Sequence, residues 1–200
     1  MSTIHQSNLR SGPQYDGLRL SADEYFDLPE DPDRRYELVN GLVVMSPSPS
    51  IRHQEVAGEM LFQIYEFLQH HAMGSVVFGV DVDLGLSVEG GDIVYRPDLI
   101  FIRSEKLVNM GDHVRGVVPD LVVEIVSPFY RRYDLETKKS DYERAGVLEY
   151  WVIDPEQHDL HFWRLSSGRY EPVAATGVTL VSQAVPGFTL DVVRVQALFV

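Results

Sequence analysis

The spacing of apolar residues changes along this 200-residue chain, and each spacing predicts a different element. Leu121-Val122-Val123-Glu124-Ile125-Val126 is nearly all apolar, as expected of a central strand covered on both faces. Ile51 to Ala72 carries Val56, Met60, Ile64 and Phe67 on one helical face, with Gly74 as the expected stop. Tyr36 to Val39 and Leu42 to Met45 flank Asn40-Gly41, a pair that tolerates the positive φ of a tight hairpin. Ser21-Ala22-Asp23-Glu24 has the form of a capping box, so a short helix should follow and stop near Pro29.

Further along, Val76 to Leu84 reads as one strand, Glu89 to Asp92 as a turn and Asp98 to Ile102 as a short strand behind Pro97. Lys106 to Arg115 reads as an irregular connection. A helix is predicted from about Arg131 to Ala145, ending at Gly146. Strands follow at Tyr150 to Ile153, Leu160 to Leu165 and Tyr170 to Ala174, and a closing segment from Pro186 packs Leu198 and Phe199 on the body. Residues 1–17 are polar and mixed and read as a loose arm, which leaves one domain over 18–200.

Composition narrows the chemistry. With 44% apolar and 24% charged residues the chain is an ordinary globular one, and no apolar run approaches the roughly 20 residues of a membrane helix. The start lacks the pattern of a secretory signal and there is no cysteine, so a cytoplasmic location is expected. Without thiolates, a metal would be held by carboxylate, imidazole or carbonyl groups. The formal charge of −13 opposes broad contact with a polyanion, so binding of nucleic acid would need a local basic patch or a metal.

Two charged residues, Glu124 and Lys138, fall where burial is expected. A glutamate in an apolar strand needs a cation or a proton, which singles out Glu124; its bland reading is a buried ion pair with an arginine. Asp98 comes from another strand and can lie beside Glu124, although an aspartate after proline also suits a turn. Asp120 shares a face with Glu124 but sits about 13 Å away along the strand, too far to share a small ion bound at about 2.1 Å. A strand-start role suits it better. On the helix from Arg131, Leu135, Tyr142 and Ala145 set the apolar stripe. Lys138 falls about 20° from its centre and Lys139 about 80° away, at about 100° per residue. Lys138 therefore faces the sheet, unless it snorkels to solvent. Glu37 in the hairpin could add a carboxylate or form a plain cross-strand pair. His53, one turn into its helix, is a site candidate or a hydrogen-bonded core residue. Arg131-Arg132 could meet phosphate or be a solvated helix start.

Taken in order, Tyr36-Glu37-Leu38-Val39-Asn40-Gly41, Arg96-Pro97-Asp98-Leu99, Pro119 to Pro128, and Tyr142 to Pro155 closely resemble the Uma2 family. Its members are identified with endonucleases of the restriction-endonuclease-like PD-(D/E)xK superfamily. The likeness runs over about residues 20 to 199. It implies an α/β fold with a central mixed β-sheet flanked by helices, with Asp98 as the first acid and Glu124 as the second. The superfamily pattern places lysine two residues after that glutamate, where this chain has Val126; Lys138 matches the lysine that Uma2-like sequences carry in the following helix. The resemblance further implies that Asp98, Glu124 and the Ile125 carbonyl hold Mg²⁺ or Mn²⁺, with Glu37 and His53 near the site.

The function so implied is metal-dependent hydrolysis of phosphodiester bonds in DNA, with Lys138 assisting the attacking water. A homodimer is the default, because cutting both strands takes two sites. The alternative is a catalytically inactive nuclease-fold protein that acts by binding or assembly. A two-carboxylate glycosidase fits poorly, since an inward lysine has no part in it.

Overall fold

The computed structural model describes residues 15–88, 90–108, 113–128 and 130–199. Of the arm expected over residues 1–17, positions 1–14 lie outside the described residues. Tyr15 is buried and donates its hydroxyl to the Pro29 carbonyl, and the Gly17 N–H donates to Val43, so the end of that segment is docked.

The capping box forms as its residue types dictate: Ser21 caps α1 (Ala22–Phe26), and Glu24 accepts from the Ser21 N–H at 2.8 Å. Next comes the hairpin of β1 (Arg35–Val39) and β2 (Leu42–Ser46), turned by Asn40 and Gly41 at φ 52° and 73°. Ser50 caps α2 (Ile51–Leu68), whose Val56, Met60 and Ile64 are fully buried.

Two sequence expectations fail just beyond this helix. It ends at Leu68, before Gly74, and Gly74 instead opens β3 (Gly74–Phe78). A Cβ on Gly74 would run into the Ile102 carbonyl and the Phe101 ring, so the glycine serves close strand packing and not a helix cap. The single strand expected over Val76 to Leu84 is two, β3 and β4 (Val82–Val88), because Gly79 at φ 62° turns the chain between them. Val77, Phe78 and Val80 beside that turn, and the alternation of Val82 and Leu84 with Asp81 and Asp83 after it, let the stretch read as one strand.

The chain continues through β5 (Gly91–Tyr95) and β6 (Leu99–Arg103). The connection read as irregular over Lys106 to Arg115 starts in the second half of α3 (Ser104–Leu107) and ends in β7 (Val114–Arg115), with 109–112 outside the described residues. β8 (Leu121–Ile125) is buried throughout. The helix expected from Arg131 begins there, but Tyr133–Lys138 is π-helical, and only α4 (Lys139–Ala145) is regular up to Gly146, which ends it at φ 86°. A 3.6-residue period does not distinguish the wider turn. The rest is β9 (Glu149–Asp154), β10 (Asp159–Ser166), β11 (Arg169–Val173), β12 (Thr179–Val181), β13 (Thr189–Asp191) and α5 (Val192–Gln196), with Phe199 buried.

These strands form a six-stranded mixed sheet in the order β11-β10-β9-β8-β6-β3, a five-stranded sheet β2-β1-β5-β4-β7 and the β12-β13 ribbon. β8 and β9 run parallel, joined by the helical segment that ends in α4. One face of the six-stranded sheet presents Leu121, Val123 and Ile125 to Val56, Met60 and Ile64 of α2. The other presents Ile100, Val122 and Tyr150 to α4 and to the β4–β5 side of the smaller sheet. This alternation fixes the register of β8. A slip by one residue would drive Glu124 into the apolar layer under α2 and displace three side chains whose burial is worth about 1.5–3 kcal/mol each. Glu124 therefore stays on the face that carries α4.

Candidate active site

Leu99 pairs with Val123 across β6 and β8, so the residue before Leu99 lies opposite the residue after Val123. Those residues are Asp98 and Glu124. Pro97 keeps the preceding backbone out of the ladder, and Asp98 turns its Oδ2 to the Ile125 N–H, which donates to it at 2.7 Å. Both acids line one small cavity of about 80 Å³ at the end of β8, together with Glu37, His53, Ile125 and Lys138. The six residues singled out in the sequence thus meet in one place.

Lys138 is 5% exposed, and its position on the inward side of the helical segment turns its ammonium away from bulk solvent and into the cavity. Its Nζ donates to Glu37 Oε1 at 2.9 Å and to Glu124 Oε1 at 3.0 Å, and lies 3.9 Å from Asp134 Oδ1. The rings of Tyr95 and Tyr133, with centroids 5.2 and 5.6 Å away, complete its surroundings. Glu37 is held in turn by the Arg96 backbone N–H, at 2.9 Å, and Glu124 by the Tyr142 hydroxyl, also at 2.9 Å.

Four carboxyl groups, Glu37, Asp98, Glu124 and Asp134, line this cavity with one lysine among them. Burial pushes the Glu124 carboxyl well above the usual carboxylate range; Lys138 opposes this, and Asp134, Asp98 and Glu37 add to it. Burial likewise raises Asp134 to about 7. Burial alone would discharge Lys138, but Glu124, Glu37 and Asp134 outweigh it and hold its pKa well above the ordinary lysine value. The ammonium stays charged, and negative charge is left in excess around it.

Two of these groups carry no mark in a reading by apolar stripe. Asp134 is polar and Tyr142 belongs to the stripe as an apolar position, so neither announces a polar contact. Asp134, Lys138 and Tyr142 follow each other at intervals of four, and that spacing is the signal that would have found them. His53 reaches Asp98 Oδ2 with its Nε2 at 3.3 Å, while its buried Nδ1 has no hydrogen-bond partner among the described residues.

Other candidates lie elsewhere. Asp120 accepts from the Arg103 N–H and from Lys106 Nζ, both at 2.9 Å, and so fastens the start of β8. Lys139 lies over the Trp163 ring, and Arg131 and Arg132 are paired with Asp154 and Glu136. Arg35 and Arg52 are exposed and meet no carboxylate among the described residues. Arg35 lines the cavity itself, and Arg52 lines the space next to it.

The donor set suits a hard divalent cation. Glu124 Oε2 and Asp98 Oδ1 make no hydrogen bond among the described residues, and excess negative charge surrounds them. Among the described residues no group of three or more His, Asp or Glu side chains is placed to hold a metal ion, so the two acids have no third side-chain ligand. The two acids and the Ile125 carbonyl are the groups that would hold an ion, with water in the remaining positions, as Mg²⁺ prefers.

The sequence model of the Uma2 family, described as "Putative restriction endonuclease", matches residues 22–193. The fold is similar to the crystal structure of a "putative nuclease belonging to DUF820" from Anabaena variabilis ATCC 29413. The TM-score is 0.73 at 17% identity, covering 90% of this chain and 99% of that one. No curated protein sequence matches the chain.

Proposed function

Since the chain belongs to the Uma2 family, we propose that it is a divalent-metal-dependent endonuclease that hydrolyses phosphodiester bonds in DNA. The observation that carries this reading is the meeting of Asp98 and Glu124 with a buried, charged Lys138 in one cavity. Asp98, Glu124 and the Ile125 carbonyl are assigned to Mg²⁺ or Mn²⁺. When bound, the ion supplies Lewis-acid polarisation of a phosphoryl oxygen and acidifies a coordinated water.

The remaining residues divide the work. Lys138 orients the attacking water and offsets the charge that builds on the phosphoryl oxygens. Glu37 and Asp134 hold its ammonium in position, and Tyr142 fixes one oxygen of Glu124 so that the other faces the cavity. His53 positions Asp98 from the α2 side. Arg35 and Arg52 supply a basic rim despite the overall charge of −13. A homodimer would bring two such sites to the two strands of a duplex. Among the described residues no helix is long and apolar enough to cross a membrane.

One observation favours a non-catalytic protein that acts by binding or assembly: two carboxylates already hold the Lys138 ammonium at 2.9 and 3.0 Å. Supercoiled plasmid incubated with Mn²⁺ or Mg²⁺ separates the two. Metal-dependent nicking by the protein and none by Asp98→Ala is expected. Equal cutting by both, or no cutting under any metal and salt condition, overturns the nuclease reading.

A further inference from the structure

A second cavity, of about 540 Å³, opens beside the acid site and shares Pro47, His53, Ser127 and Tyr130 with it. Its lining differs in kind. Pro47, Ile51, Pro128, Tyr130 and Pro155 make it largely apolar, and two exposed side chains of opposite charge, Arg52 and Glu156, also line it. Ile51 is 80% exposed at the first position of α2, an apolar side chain for which the fold has no use. The acid cavity itself is narrow, about 80 Å³, and Glu124 at its floor is 4% exposed. A phosphate can reach that floor only if its strand is drawn in, and the bases of an intact stack cannot follow.

We infer that the larger cavity is a subsite for one unstacked base of a single-stranded or locally opened nucleic acid. The adjoining phosphate then sits at the acid site, and Arg52 takes a flanking phosphate. The proposal rests on the nuclease reading for the identity of the polymer. The occupant follows from the cavity. Its volume is that of a small-molecule pocket, Tyr130 supplies a ring surface indifferent to base identity, and the Arg52 guanidinium, which pairs with no carboxylate among the described residues, matches a phosphate. An acidic peptide would also suit Arg52, but it has no use for a tyrosine-lined cavity continuous with two metal-binding acids.

The test uses the full chain in EDTA with a 12-nucleotide strand carrying one 2-aminopurine, and the same strand in a duplex. Emission should change on binding the single strand, with the duplex bound at least about tenfold more weakly. Tyr130→Ala should weaken single-strand binding about tenfold, the size of one lost stacking contact, while Tyr130→Phe retains it. Ile51→Glu should weaken it similarly, and at a site this exposed the substitution cannot be mistaken for unfolding. Equal binding of duplex and single strand, or no effect of Tyr130→Ala and Ile51→Glu, overturns the subsite. Tyr130-dependent binding without cleavage under any metal would remove the nuclease reading and keep the subsite. Cleavage that prefers duplex and ignores Tyr130 would do the reverse.

Discussion

The Asp98 carboxylate accepts a 2.7 Å hydrogen bond from the backbone N–H of Ile125, so the second strand of the site fixes the acid carried by the first. The same N–H belongs to the residue after Glu124. Both acids are therefore positioned by one stretch of β8, and their relative placement depends on strand register more than on side-chain flexibility.

Asp98→Asn tests the charge without removing the bond, because the amide oxygen can still accept from Ile125. The variant should fold with a stability change under about 1 kcal/mol. Adding Mg²⁺ at pH 8 should raise the unfolding temperature of the parent protein and leave that of Asp98→Asn unchanged. Thermal unfolding with and without metal checks this, and equal shifts in both would remove Asp98 from the ligand set.

Lys138→Met strips the ammonium from the acid cavity and leaves Glu37, Glu124 and Asp134 without their shared cation. Breaking a buried pair from one side costs about 3–5 kcal/mol. Urea denaturation should show a loss of that order at pH 8 and a smaller one at pH 5.5, where the raised carboxyls take up protons. A loss under about 1 kcal/mol at pH 8 would place the ammonium in water.

The metal-free protein should gain stability as pH falls from about 7 towards the ordinary aspartate value of 3.8, at least over the first part of that range. Burial raises Asp134 to about 7, so the folded state binds a proton that the unfolded state has already released. Stability then falls as pH rises through that window, and Glu124, also raised by burial, acts in the same direction. Asp134→Asn should flatten the profile measured by denaturant titration at several pH values. An unchanged slope would assign the effect elsewhere.

Tyr142→Phe removes the hydroxyl that donates to Glu124 and nothing else. A hydrogen bond contributes about 0.5–3 kcal/mol, the upper half of that range belonging to a charged acceptor. The variant should lose stability in that range and bind Mn²⁺ more weakly, since Glu124 Oε1 is then held by Lys138 alone. Calorimetric titration with Mn²⁺ reads the second effect, and unaltered affinity would count against Glu124 as a ligand.

Gly74→Ala places a methyl group against the Ile102 carbonyl and the Phe101 ring. Overpacking of this kind costs about 1–3 kcal/mol, so the unfolding midpoint should drop although the residue is far from the acids in sequence. An unaffected midpoint would mean that β3 can move away from β6.

Much of this was written in the chain itself. Asn40-Gly41 has the conformational freedom the hairpin needs, Ser21 and Glu24 cap their own helix, and the lone glutamate of Leu121 to Val126 marks where a cation is required. Helical phase was enough to turn Lys138 inward and Lys139 away. These are local properties, set by backbone preference and by which face of one element is apolar. The tertiary structure decided the rest. Gly79 reads as one more residue of an apolar strand until two sheets compete for its flanks, and Gly74 reads as a helix stop until Phe101 lies against it. Asp134 and Tyr142 look unremarkable until a π-helical turn and a buried sheet face bring them to Lys138 and Glu124. The four-residue spacing sets Asp134, Lys138 and Tyr142 along one side of their helical segment, but packing between distant segments alone brings Glu37 and Glu124 to them.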